Sequence, residues 1–211
     1  MSALTDFITH FGNVVELDFP EWDIHKVKQI ALNHPGWKVY QPLKPGYNRF
    51  GLSVTSLDGN FSGEPDLYSL REYREHTGKG YSEIDFKHRT NLVDFLPELN
   101  PFLDFFEPAL GRVHFLRLDK GGFFPPHRDN GLMIDIESFR ILVPIHGFGI
   151  NQMKWIQEEQ ILNLRQGSFY FINTTRAHSL FSFVDNCLML VLNVMSDKNV
   201  LDRLVKKVVP P

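Results

Sequence analysis

Short apolar segments separated by turn residues fill the C-terminal half of the chain, and this alternation constrains the fold more than any other feature. The segments are rich in β-branched and aromatic residues, which favour strands, and glycine-containing or Asp-Asn turns lie between them. Seven such strands with few helices among them are typical of a double-sheet barrel. The predicted strands are 113–118, 124–129, 139–145, 154–161, 168–172, 178–184 and 188–195.

The N-terminal portion, residues 1–111, mixes helical and strand patterns. Apolar residues recur at helical spacing in 23–33, in 66–76 and in two short turns within 91–106, whereas strict alternation at 50–54 predicts a strand. We therefore predict a β-rich α+β fold, a cupin-like jelly roll (double-stranded β-helix) with N-terminal helices packed on one face.

The domain organisation follows from the same pattern. Residues 112–195 are predicted to form the jelly-roll core, and 196–211 a C-terminal tail. We find no repeat, linker or low-complexity segment, so a single domain over 1–211 is expected at this length.

Composition excludes some functions. The formal net charge is -3 and no segment is dense in Lys or Arg, which argues against nucleic acid as a partner. No apolar stretch is long enough to cross a membrane, and the first residues do not resemble a signal peptide. Cys187 is the only cysteine, so no internal disulfide can form. These features predict a soluble cytoplasmic protein.

Three residues are predicted to bind a metal: His127, Asp129 and His178. Residues two apart on a strand point to the same face, so His127 and Asp129 can aim at one point inside a barrel. His178 opens a later strand, which can return beside the first. Two imidazoles and one carboxylate leave three metal positions open, as in non-haem Fe(II) oxygenases. We predict that the three residues form the catalytic centre.

The motifs around these residues resemble those of the Fe(II)- and 2-oxoglutarate-dependent oxygenases, most closely the branch of aspartyl/asparaginyl β-hydroxylases and bacterial proline hydroxylases. The resemblance covers roughly residues 112–195. It consists of RLDKGG at 117–122, PHRD at 126–129, FRILVPI at 139–145, GSFYFIN at 167–173 and HS at 178–179, in that order.

The resemblance implies cofactors and a reaction. His127, Asp129 and His178 would hold Fe(II), and 2-oxoglutarate would chelate it and leave one position for O2. The implied activity is hydroxylation of a C–H bond in an amino acid, either free or within a peptide or protein. The implied partners are thus O2 and a small-molecule or peptide substrate.

One position departs from the family pattern. Many members carry an arginine ten residues after the second histidine, where it pairs with the far carboxylate of 2-oxoglutarate; here that residue is Leu188. Arg140 is our first choice as a substitute, because a guanidinium can pair with a carboxylate through two hydrogen bonds. Lys154 and Arg117 are the second choices. An alternative is that Arg140 pairs with an acid of the preceding segment, Asp135 or Glu137.

Weaker predictions concern polar residues near the strands. Asn173 and Asn193 could donate hydrogen bonds to the cosubstrate, or could equally satisfy backbone groups. Trp155 could form a wall of the pocket or part of the core. Arg49 could face the substrate, although an arginine in a loop is more often solvated.

Two other functions stay open. A cupin-type metalloprotein, such as an isomerase or a 2-oxoglutarate-independent dioxygenase, would use the same barrel without 2-oxoglutarate. A barrel used only for binding would hold no metal.

Overall fold

A computed structural model describes residues 2–44, 46–129 and 138–210. Asp135 and Glu137, the acids suggested as alternative partners of Arg140, lie outside the described residues. The helices are α1 (Ala3–Phe11), α2 (Ile24–Asn33), α3 (Leu70–Thr77), α4 (Leu92–Phe95), α5 (Leu99–Phe106) and α6 (Lys198–Val205). The strands are β1 (Val14–Leu17), β2 (Lys38–Val39), β3 (Arg49–Ser53), β4 (Thr55–Ser56), β5 (His88–Arg89), β6 (Leu110–Leu118), β7 (Phe123–His127), β8 (Ser138–His146), β9 (Met153–Gln157), β10 (Gln160–Leu162), β11 (Phe169–Ile172), β12 (His178–Ser182) and β13 (Cys187–Met195).

The strands from β6 onward build two facing antiparallel sheets. The large sheet has the order β1-β11-β8-β13-β6-β3-β2, and the small sheet has the order β10-β9-β12-β7. Strands β6 to β13 therefore pass back and forth between the two sheets, which is the connectivity of a jelly roll. The predicted fold class is confirmed: the protein is a double-stranded β-helix with a few helices.

Side chains along the strands of the large sheet point alternately to its two faces, and each face packs into a separate apolar layer. On β8, Ile141 and Val143 belong to the layer beneath the helices, whereas Leu142 belongs to the barrel interior. The outer layer also contains aromatic rings from the helices, such as Phe102, whose centroid lies 5.1 Å from that of Phe169. Burial of one such side chain contributes about 2–3 kcal/mol. The helices thus cover one face of the barrel, as predicted.

Three predictions from the sequence were wrong in detail. Segment 154–161 forms two strands, because Glu158 and Glu159 take positive φ values of 46° and 71° and turn the chain back on itself. The helix predicted for 66–76 begins only at Leu70. The predicted tail contains α6, which begins after Asp197 and buries Val200, Leu201 and Leu204.

The N-terminal portion also contributes strands to the barrel. Strand β1 extends the large sheet beside β11, and β3 extends it beside β6. None of the helices in the described parts of the chain has the length and apolarity that a membrane span requires.

Candidate metal centre

The three predicted metal ligands lie together at one end of the barrel. His127 ends β7 and His178 begins β12, and the two residues are directly opposite each other in the small sheet. Their ring centroids are 4.2 Å apart. Asp129 lies just past the end of β7, where its backbone N–H donates to the Thr174 carbonyl at 2.9 Å. One potential ligand atom from each residue lies within 4.8 Å of the other two.

Backbone carbonyls orient both imidazoles. His127 Nδ1 is 2.7 Å from the Pro125 carbonyl oxygen, and His178 Nδ1 is 3.0 Å from the Arg176 carbonyl oxygen. A carbonyl can only accept, so each Nδ1 carries a proton, and in a neutral imidazole Nε2 is then the nitrogen with the lone pair that can bind a metal. This is the usual arrangement behind a histidine that ligates a metal.

The neutral state of His178 is favoured by its surroundings. The residue is buried, and burial lowers the pKa of its imidazole, because it outweighs the opposite effects of Asp129 and of the hydrogen bond with the Arg176 carbonyl. Trp155 stacks on the ring at a centroid distance of 5.6 Å and an angle of 12°. Both effects hold His178 as a neutral, fixed donor.

Asp129 is held as a carboxylate. Burial alone would raise the pKa of this group, but Arg140 and the two histidines outweigh burial and lower it. Arg140 Nη2 lies 3.1 Å from Asp129 Oδ2, and the other oxygen, Oδ1, lies 3.5 Å from His127 Nε2. One oxygen is thus engaged by the arginine while the other faces the histidines.

The donor set fits Fe(II). One ligand atom from each imidazole and one carboxylate oxygen lie within 4.8 Å of one another. Two histidines and one carboxylate are the set that leaves three adjacent positions for other ligands.

The structure places the predicted cosubstrate residues unevenly. Arg140 lies in the barrel interior beside the triad, but its guanidinium pairs with Asp129. Asn193 on β13 pairs with Arg140 on the adjacent strand β8, and its amide donates to Glu83 Oε2 at 3.2 Å. Both residues lie near the metal centre, and both already have partners.

Two other predicted residues are not brought to the centre. Lys154 alternates with the buried Met153 and Trp155, so its side chain lies on the outer face of the small sheet, where Nζ donates to the Gly149 carbonyl at 3.4 Å. The Asn173 side chain holds a turn: Oδ1 accepts from Thr175, and Nδ2 donates to Asn13 at 2.8 Å. No described contact brings either side chain to the triad, and a role of these two residues in cosubstrate binding stays a prediction.

Leu188 is buried in the layer beneath the helices, whereas its neighbour Met189 belongs to the barrel interior. Arg117 pairs with Leu188 across the sheet and lies over the rings of Trp37 and Phe50, so it also faces away from the triad. Neither position supplies a cation to the interior.

Sequence reasoning missed a polar network next to the triad. Arg112 donates to both oxygens of Glu83, at 2.8 Å from Nε and 2.6 Å from Nη2. Burial alone would raise the pKa of Glu83, but Arg112 outweighs it and lowers the pKa to about 2. His114 is buried nearby, and burial and then Arg112 lower its pKa to about 3. Strand alternation could have identified Arg112 and His114, because each lies an even number of residues from the interior residue Leu116 on β6 and therefore points to the same face.

No protein-family profile and no curated protein matches the sequence. Similar solved structures include an oxidoreductase of the 2OG-Fe(II) oxygenase family from Burkholderia pseudomallei, 14% identical over 92% of this chain and 89% of that chain, with a TM-score of 0.48. Others are the viral collagen prolyl hydroxylase of Paramecium bursaria Chlorella virus-1 (11%; 52% and 75%; TM-score 0.38) and an RmlC-like cupin from Desulfovibrio desulfuricans (15%; 42% and 74%; TM-score 0.32). These likenesses are too distant to carry a functional argument, so the hydroxylase branch stays a prediction.

Proposed function

We propose that the protein is an Fe(II)- and 2-oxoglutarate-dependent hydroxylase that oxidises a C–H bond of an amino acid, free or within a peptide or protein. The observation that carries this proposal is the convergence of one ligand atom each from His127, Asp129 and His178 at the ends of two paired strands. Fe(II) with 2-oxoglutarate would supply O2-dependent C–H oxidation coupled to decarboxylation of the cosubstrate.

The residues of the chain would contribute ligation, orientation and exclusion of water. The Pro125 and Arg176 carbonyls fix the two imidazoles, and Arg140 fixes the carboxylate. Outer hydrogen bonds of this kind typically change metal affinity 10- to 100-fold. Phe124 and Trp155 form an apolar wall beside the histidine rings, which keeps water from that side of the centre.

One observation favours the alternative, a metalloprotein of the cupin type that does not use 2-oxoglutarate. Arg140, the cation expected to bind the cosubstrate, is engaged by Asp129. Metal binding without any effect of 2-oxoglutarate would favour this alternative.

The test uses protein purified without oxygen and loaded with Fe(II). We expect one Fe(II) per chain, and release of succinate from 2-oxoglutarate on exposure to air. His127→Ala and Asp129→Ala should lose both properties, because each removes one of three ligands. His146→Ala is the matched control, since His146 ends a barrel strand but does not belong to the three-ligand group. Unchanged metal content and turnover in both ligand variants would disprove the proposal.

A further inference from the structure

Arg49 carries a buried charge at the opposite end of the barrel interior from the triad. The residue begins β3 and is only 2% exposed. Its guanidinium carbon lies 4.1 Å from the ring centroid of Phe124 and 4.5 Å from that of Tyr47. Phe124 belongs to the interior cluster, so Arg49 points into the barrel.

No acid of the described residues forms an ion pair with Arg49. Its one side-chain hydrogen bond runs from Nη2 to the amide oxygen of Gln41 at 3.2 Å, and Nε has no partner. Burial lowers the pKa of Arg49, yet an arginine stays charged in proteins. The other two interior arginines differ, because Arg112 pairs with Glu83 and Arg140 pairs with Asp129.

A cavity of about 110 Å³ lies against Arg49, within the segment that joins β2 to β3. A water molecule takes up about 30 Å³ of liquid, so the space can hold several non-hydrogen atoms. Tyr40 and Tyr47 also line the cavity, as does Lys44, whose ammonium pairs with Glu72. The unpaired cation of the cavity is thus Arg49.

The position of Arg49 relates it to the metal centre. The Phe124 ring lies between them, since it contacts the guanidinium and stacks on the His127 ring at a centroid distance of 6.0 Å. Arg49 pairs across the sheet with Leu118, which in turn pairs with Cys187. Strand β3 therefore places a cation in the barrel interior near Leu188, whose own side chain points out of the interior.

We propose that Arg49 binds a carboxylate of an organic acid that reacts at the metal centre. A buried guanidinium that has no ion-pair partner among the described residues and only the electrostatic influence of Glu72 is stabilised once an anion accepts its free N–H groups. The carboxylate could belong to the cosubstrate or to the substrate. This inference rests on the proposed function, but its first test does not need the metal.

The first measurement is calorimetric titration of metal-free protein with glutarate, a five-carbon dicarboxylate. Arg49→Met removes the charge and keeps most of the side-chain volume. Arg117→Met is the matched control, because Arg117 also lies over aromatic rings but faces outward and has an acid partner, Asp119. We expect R49M to bind glutarate about 10- to 100-fold more weakly than the wild type and R117M.

Thermal melting separates binding from a structural role. A purely structural arginine would lower the melting temperature when replaced, whereas R49M should melt at the wild-type temperature or above, because an uncompensated buried charge is removed. Equal glutarate binding by wild type and R49M, including no binding by either, would overturn the proposal.

A second titration identifies the source of the carboxylate. Mn(II)-loaded protein is titrated with 2-oxoglutarate and with 2-oxopentanoate, which lacks the far carboxylate. If R49M weakens binding of 2-oxoglutarate alone, Arg49 binds the cosubstrate; if neither ligand is affected while glutarate binding is lost, Arg49 binds the substrate. Failure of the wild type to bind Mn(II) or Fe(II) would contradict the proposed function and would leave the glutarate result valid.

Discussion

The two ends of the barrel interior differ in whether their arginines have acid partners. At the end with the triad, each arginine has an acid partner: Arg140 pairs with Asp129, and Arg112 pairs with Glu83. At the other end, the interior is apolar around Leu118 and Met189, and Arg49 has no acid partner among the described residues. Charges that the fold compensates hold its own ligands in place, whereas an uncompensated charge is suited to an anion from outside.

The pair at the triad end gives the largest expected effect. Arg140→Met removes the partner of Asp129 Oδ2 and leaves the half-buried carboxylate without its strongest counter-charge. We expect Mn(II) affinity to fall about 10- to 100-fold. Equilibrium titration with Mn(II) measures it.

Arg117→Met is the control for loss of an arginine elsewhere in the same sheet, and its Mn(II) affinity should match that of the wild type. An unchanged affinity in R140M would mean that the backbone alone positions Asp129. The contrast between the two ends of the barrel would then lose its functional meaning at the triad end.

Asp66 extends the comparison at the triad end, because its carboxylate is buried near Arg112 without forming an ion pair with it. Arg112 Nη1 donates instead to the Asp66 backbone carbonyl at 3.1 Å. Its Oδ1 accepts from the Leu57 N–H at 3.2 Å, and Oδ2 has no partner. Burial raises the pKa of Asp66 to about 6, despite the Leu57 hydrogen bond and Arg112. The folded state therefore holds the proton more tightly than the unfolded state, and stability is lost as pH rises from about 4 to about 6.

Asp66→Asn should remove this loss, since an amide cannot ionise and can still accept from Leu57. We expect D66N to exceed the wild type in free energy of unfolding by about 2 kcal/mol at pH 8, and the difference to vanish near pH 4. Urea unfolding at both pH values measures it. Asp58→Asn is the control and should give no gain, because hydrogen bonds from Asn60 lower the pKa of exposed Asp58. A gain in D66N that does not change with pH would contradict this account.

Most strands of the barrel could be predicted from local sequence patterns. Strand alternation located the β-segments from 113 to 195, because the period of two is a property of the backbone itself. The predicted strand 124–129 ends at His127, so Asp129 is held near His127 by its backbone hydrogen bond to Thr174 and not by strand alternation. The turn at Glu158 and Glu159 was missed because neither residue is typical of positive φ. The partner strand for β3 lies far along the chain, so no local pattern could show that Arg49 points inward.

The interaction partners of the polar residues could not be predicted from the sequence either. Arg140 was proposed as a partner of the cosubstrate, but its contact with Asp129 depends on how β8 faces the end of β7 across the interior. The Glu83–Arg112 pair joins a short 3₁₀ turn to β6 over a long sequence separation. Only the folded topology brings such residues together.

Lys154 gives the smallest expected effect and tests the parity argument directly. Its side chain lies on the outer face of the small sheet, so Lys154→Ala should change the free energy of unfolding by at most about 0.5 kcal/mol. Binding of 2-oxoglutarate to Mn(II)-loaded protein should match that of the wild type.

Trp155→Ala is the matched contrast, because Trp155, the residue after Lys154, faces inward and stacks on His178. W155A should lose several kcal/mol of stability and weaken Mn(II) binding. If K154A instead weakened 2-oxoglutarate binding tenfold, the outer face of the small sheet would belong to the site, and the carboxylate bound by Arg49 would have to be that of the substrate.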